Sequence, residues 1–125
     1  MTKLAVVVTT PPHSNLTTTA IDYITNAIEL GVDVIGVFFY QDGVLNASEH
    51  LSLPNDEYQT IAHWQALHSD HNVPLFLCIT AAEKRGLSDE IESQMSQSNM
   101  LSTFTIAGLG ELVELSAKTD KLVQF

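Results

Sequence analysis

The chain has 125 residues, 45% of them apolar, and carries 15 acidic against 5 basic side chains for a formal net charge of −10. That length fits one domain over residues 1–125, and so large an apolar share excludes a disordered chain. A surface this acidic repels phosphate backbones and argues against direct RNA or DNA binding, and a lone cysteine excludes an intrachain disulfide or a cysteine-paired zinc clamp.

Leu4 to Val8 is an unbroken apolar run and reads as a strand buried on both faces, as in a parallel sheet. It is too short for a signal-peptide core or a membrane-spanning helix. A soluble chain in a reducing cytoplasm is therefore expected, with no membrane contact. The polar loop Thr9 to Thr19 follows, and then Ala20, Ile21, Ile24, Ala27 and Ile28 recur at helical spacing. With Gly31 as the C-cap, a helix is expected over 17–30. Val34 to Tyr40 is a second buried strand, and Asp42-Gly43 and Pro54 mark the longer connection after it. Asp56 opens the next helix, with Tyr58, Ile61, Ala62 and Leu67 inward, and Leu75 to Ile79 is a third buried strand.

Thr80 and Glu83 have capping-box spacing, which predicts a short helix from Thr80 to near Gly86. The serine-rich stretch Leu87 to Asn99 reads as a mobile loop or weak helix. Leu101 to Ile106 is a fourth strand, Gly108 to Lys118 a helix, and Leu122 to Phe125 a terminal strand. The alternation argues for a single-domain, three-layer α/β/α fold with a mainly parallel central sheet of about five strands.

In open α/β sheets, ligands and catalytic groups gather beyond the carboxyl ends of the strands. Three segments of this chain meet that edge: the loops after the first and second strands, and Cys78 at the end of the third. Cys78 lies just before the expected helix start, and Lys84 and Arg85 are close in the sequence. Uncapped amides and cations both favour an anionic, nucleophilic sulfur. The plainer reading is a small buried core residue.

Other signals are weaker. His68 and His71 have a spacing that could chelate a metal, yet no acid or thiol is suitably placed beside them, so a solvated helix face is expected. Thr9 to Asn15 could form a phosphate loop but lacks the glycine-rich motifs, and capping by Ser14, Asn15 or Thr17 is preferred. Glu83, Asp89, Glu90 and Glu92 form an acidic cluster, most simply solvated, and Trp64 and Tyr58 read as core or interface residues.

Several segments together resemble the DsrE/TusD sulfur-relay family. They are Ala5-Val6-Val7-Val8-Thr9, Val37-Phe38-Phe39-Tyr40 before Asp42-Gly43-Val44, Trp64-Gln65-Ala66-Leu67, and Cys78-Ile79-Thr80-Ala81-Ala82 with Arg85-Gly86. Ser98-Asn99, Gly108-Leu109-Gly110-Glu111-Leu112 and Asp120-Lys121-Leu122-Val123-Gln124-Phe125 complete the set over the whole length. The resemblance implies a DsrE-like fold and places the family's persulfide-carrying cysteine at Cys78. It also implies assembly with TusB-like and TusC-like subunits as a dimer of heterotrimers. A TusA-like donor would load the cysteine and a TusE-like acceptor would unload it, toward 2-thiolation of a tRNA wobble uridine. Such thiol exchange needs no metal or organic cofactor. The alternatives are a DsrE-like role in dissimilatory sulfur oxidation, a structural subunit with an inert Cys78, and a nucleotide- or flavin-binding module using Thr9 to Thr17.

Overall fold

A computed structural model describes residues 2–87 and 99–125. Among these residues five strands form one sheet: β1 Lys3–Val8, β2 Asp33–Phe39, β3 Leu75–Cys78, β4 Thr105–Ala107 and β5 Lys121–Gln124. Their order is β4-β3-β2-β1-β5, and every pairing is parallel. The helices are α1 Asn15–Glu29, α2 Thr60–His71, α3 Ile79–Lys84 and α4 Leu109–Lys118, and a 3-10 helix, Gln41–Ala47, follows β2. The fold is the expected three-layer α/β/α with a parallel five-stranded sheet.

Strand alternation assigns the two faces. On one face Phe39 meets Trp64 of α2 edge-on, ring centroids 4.9 Å apart. On the other lie Gly36, Phe38 and Phe76. A side chain at Gly36 would come within 3.0 Å of Leu115 of α4 and of Phe76, so α4 packs tightly there because Gly36 has none. Right-handed crossovers carry the chain from β1 to β4 in one direction with α1, α2 and α3 on one face. The last crossover runs back past β1 to β5, with α4 on the opposite face. Beyond the carboxyl ends of β3 and β4, therefore, the chain leaves the sheet toward opposite faces. That divergence opens a crevice between neighbouring strands.

A buried polar network fixes the loops at this edge. Asn46 is fully buried, and its Nδ2 donates to the carbonyls of Gly43 at 2.8 Å and Thr10 at 3.1 Å. Its Oδ1 accepts from Trp64 Nε1 at 3.0 Å. Trp64→Phe would keep most of the packing but leave that oxygen unpaired, at a cost of about 1–3 kcal/mol. The urea midpoint should fall accordingly, and an unchanged midpoint would show that the bond carries no weight.

Ala62, expected to face inward on α2, is exposed, and three further local expectations need correction. The helix expected from Asp56 begins at Thr60, because Glu57 N–H bonds back to Pro54 O at 3.0 Å in a turn and Thr60 Oγ1 is held by Pro12 O at 2.7 Å. The strand expected over Leu101 to Ile106 is only Thr105–Ala107, because Leu101 N–H is taken by Ala47 O at 2.8 Å and Met100 bridges to Ser48. The capping box at Thr80 does not form. β3 passes straight into α3, and Cys78 is itself the N-cap, with no capping hydrogen bond from its side chain. The expectation for Leu87 to Asn99 lies, for 88–98, outside the described residues.

Candidate functional site

Cys78 ends β3 in register with Ala107 of β4, at the mouth of the crevice. A depression of about 300 Å³ is lined by Tyr40, Gln41, Cys78, Thr80, Ala81, Lys84, Arg85 and Leu109. Each wall has a structural origin. Tyr40 and Gln41 come from the corner after β2, and Gln41 takes the left-handed φ of 51° that turns the chain into the 3-10 helix. The short α3 supplies Thr80 to Arg85, and the start of α4 supplies Leu109. The cysteine forms part of the floor and is only 1% exposed, so a reagent must enter the depression to reach it.

The two cations at the site behave differently. Arg85 Nε donates to Asp42 Oδ1 at 2.9 Å and Nη1 donates to Ala81 O at 3.0 Å. This partly exposed pair adds about 0–1 kcal/mol of stability but ties the Arg85 charge to a carboxylate and pins α3 against the β2 corner. Lys84 is exposed and, among the described residues, has no ion-pair or hydrogen-bond partner.

The other candidates lie elsewhere. The loop after β1 spends its polar groups on the fold. Thr9 Oγ1 donates to Phe125 O at 2.9 Å, Thr17 Oγ1 to Pro11 O at 2.7 Å, and Ser14 accepts from Leu16 N–H as the α1 cap. Hydroxyls used in this way leave little for a phosphate, which weakens the nucleotide or flavin reading. Nδ1 of His63 donates to Gln59 O at 2.8 Å, and Nδ1 of His68 to Val73 O at 3.0 Å. Among the described residues no group of three or more His, Cys, Asp or Glu could hold a metal ion. Trp64 is fully buried as expected, and Tyr58 stacks on His63, centroids 4.3 Å apart. Burial and, second, the Asp22 carboxylate raise the Tyr58 phenol above its ordinary pKa. Glu83 is exposed, and Asp89, Glu90 and Glu92 lie outside the described residues. Depressions of about 290 and 320 Å³ occur at the amino ends of the strands, near Lys3 and Leu4, so size does not single out a site and chemistry must.

The sequence points to Cys78, Lys84 and Arg85 and puts the loop after the second strand at the same edge, but it does not single out Tyr40, Gln41, Asp42 or Leu109 as the surroundings of the thiol. The available signals were turn and glycine markers directly after strands: Asp42-Gly43 after β2, and Gly108 with Gly110 after β4.

The DsrE/DsrF-like family model matches residues 2–125. The sulfurtransferase TusD of Klebsiella pneumoniae is 35% identical over 127 residues, covering 98% of this chain and 99% of that protein. The crystal structure of the Escherichia coli YchN protein superposes with a TM-score of 0.71 at 24% identity, and covers all of both chains. A protein of unknown function from Methanobacterium thermoautotrophicum gives the same score at 12% identity, again over all of both chains. The two solved structures bear on the fold alone. No helix among the described residues is long and apolar enough to cross a membrane.

Proposed function

Because this chain belongs to the DsrE/DsrF-like family, we propose that it is a sulfur-relay sulfurtransferase that carries sulfane sulfur as a persulfide on Cys78. The observation that carries this reading is the position of the lone cysteine, on the floor of a depression at the carboxyl ends of the paired strands β3 and β4, where the chain leaves them toward opposite faces. Similarity to a sulfurtransferase over nearly the whole chain supports it.

The chemistry is thiol exchange. The Cys78 thiol gives up its proton, and its sulfur attacks the outer sulfur of a donor persulfide. The donor's S–S bond breaks, and the departing thiolate takes the bonding electrons and a proton. Cys78 is left as Cys78–S–SH, with its outer sulfur about 2 Å beyond the original one. A thiol of the next carrier then attacks that outer sulfur and releases Cys78. No metal, organic cofactor or triad is needed.

The fuller proposal places the chain in the cytoplasm with TusB-like and TusC-like subunits. A TusA-like protein is the donor, a TusE-like protein the acceptor, and 2-thiolation of a tRNA wobble uridine the destination. A DsrE-like role in sulfur oxidation would use the same cysteine. The near-complete burial of Cys78 favours a second reading, a structural subunit with an inert thiol. The two separate in one experiment. After incubation with a persulfide donor, the Cys78 peptide should gain one sulfur atom by mass spectrometry. An unchanged peptide, under conditions that load a control thiol protein, would support the inert reading.

A further inference from the structure

We infer that Lys84 makes the Cys78 depression selective for anionic sulfur donors, while Arg85 acts as a positioning residue that holds α3, and Lys84 with it, at the rim. This inference rests on Cys78 being the reacting thiol. It adds the charge class of the donor and the residue that reads it.

The chain has 5 basic residues, and three of them, Lys3, Lys118 and Lys121, lie on elements at the amino edge of the sheet or line the depression there. Only Lys84 and Arg85 line the depression that holds Cys78. Arg85 is neutralised locally by Asp42 at 2.9 Å. Among the described residues Lys84 is therefore the cation left for an incoming molecule to meet there, in a protein whose net charge of −10 repels anions elsewhere. Exchange between two sulfur centres brings two groups of anionic character together, and a nearby ammonium reduces their repulsion. The interaction should be visible at low salt and fade as the Debye length shortens from about 10 Å at 0.1 M to about 3 Å at 1 M.

Two methanethiosulfonates of similar size and opposite charge test this on the full chain: the 2-sulfonatoethyl anion and the 2-trimethylammonioethyl cation. In each case the Cys78 sulfur attacks the sulfenyl sulfur, a new disulfide forms, and methanesulfinate leaves with the bonding electrons. The readout is the ratio of anionic to cationic modification rates at Cys78. Lys84→Gln should lower that ratio about fivefold at low salt, Lys84→Glu should lower it further, and Lys84→Arg should restore it. High salt should compress all the ratios together. Asp42→Asn should alter the ratio less than Lys84→Gln does, because it frees the Arg85 charge while loosening α3.

An unchanged ratio in Lys84→Gln overturns the inference. So does a wild type that neither reagent modifies in the native state, because the depression would then admit no charged donor. Failure of the relay reading looks different: the ratios would shift as described while a persulfide donor left no sulfur on Cys78.

Discussion

Gly43→Ala is expected to lower the melting temperature by about 10 °C or more and to lose sulfur loading with the fold. A Cβ at Gly43 would overlap the carbonyl oxygen of Val8 and lie 2.8 Å from its carbonyl carbon. Both are backbone atoms at the end of β1, buried beneath the corner after β2, and neither can swing aside as a side-chain tip would. The same corner is bonded into the sheet, with Tyr40 N–H on Val8 O and Gly43 N–H on Tyr40 O, each at 2.9 Å. Relieving the overlap means moving the corner that carries Tyr40, Gln41 and Asp42, and pulling on the Asn46 bond to Gly43 O. Overpacking costs typically reach about 3 kcal/mol, and a clash with fixed backbone belongs at that upper end. For a domain of this size that corresponds to the shift stated. Gly110→Ala is the control. Nothing lies within 4 Å of the added carbon, and alanine in a helix gains up to about 1 kcal/mol over glycine. Thermal melts followed by circular dichroism decide the matter, and a Gly43→Ala protein that melts like wild type would show that the corner yields.

Much of this architecture is legible in the chain because buried parallel strands are written as local apolar runs. Leu4 to Val8 and Val34 to Tyr40 announce β1 and β2 to within a residue. Cys78 is legible as a candidate for the same reason, standing at the end of such a run. What is not legible depends on contacts distant in sequence. Arg85 meets Asp42 across 43 positions, and no local pattern distinguishes its charge from that of Lys84. The Leu101 to Phe104 segment has strand composition, but its first amide is drawn to Ala47 instead of to a neighbouring strand. The capping box at Thr80 has the right spacing but starts inside α3, after its N-cap Cys78, because β3 leads into α3 with no intervening loop. The strand order also depends on where the last crossover returns, and that return creates the crevice beside Cys78.

Cys78→Ser and Cys78→Ala are expected to fold and to lose sulfur uptake completely. The side chain is small and ends a strand, so neither change creates a large cavity. The alanine variant guards against the cost of about 1–3 kcal/mol for a buried hydroxyl without a partner. Because Cys78 is the only cysteine, no second thiol can substitute for it. The decisive measurement follows the sulfur through both halves of the relay. The chain is loaded with radiolabelled sulfane sulfur from a persulfide donor, freed of that donor, and mixed with a reduced thiol carrier protein. Wild type should hold about one label per chain and pass it to the carrier, while both Cys78 variants should hold none. Label retained equally by the variants, or no label taken up by wild type, would contradict a relay through Cys78.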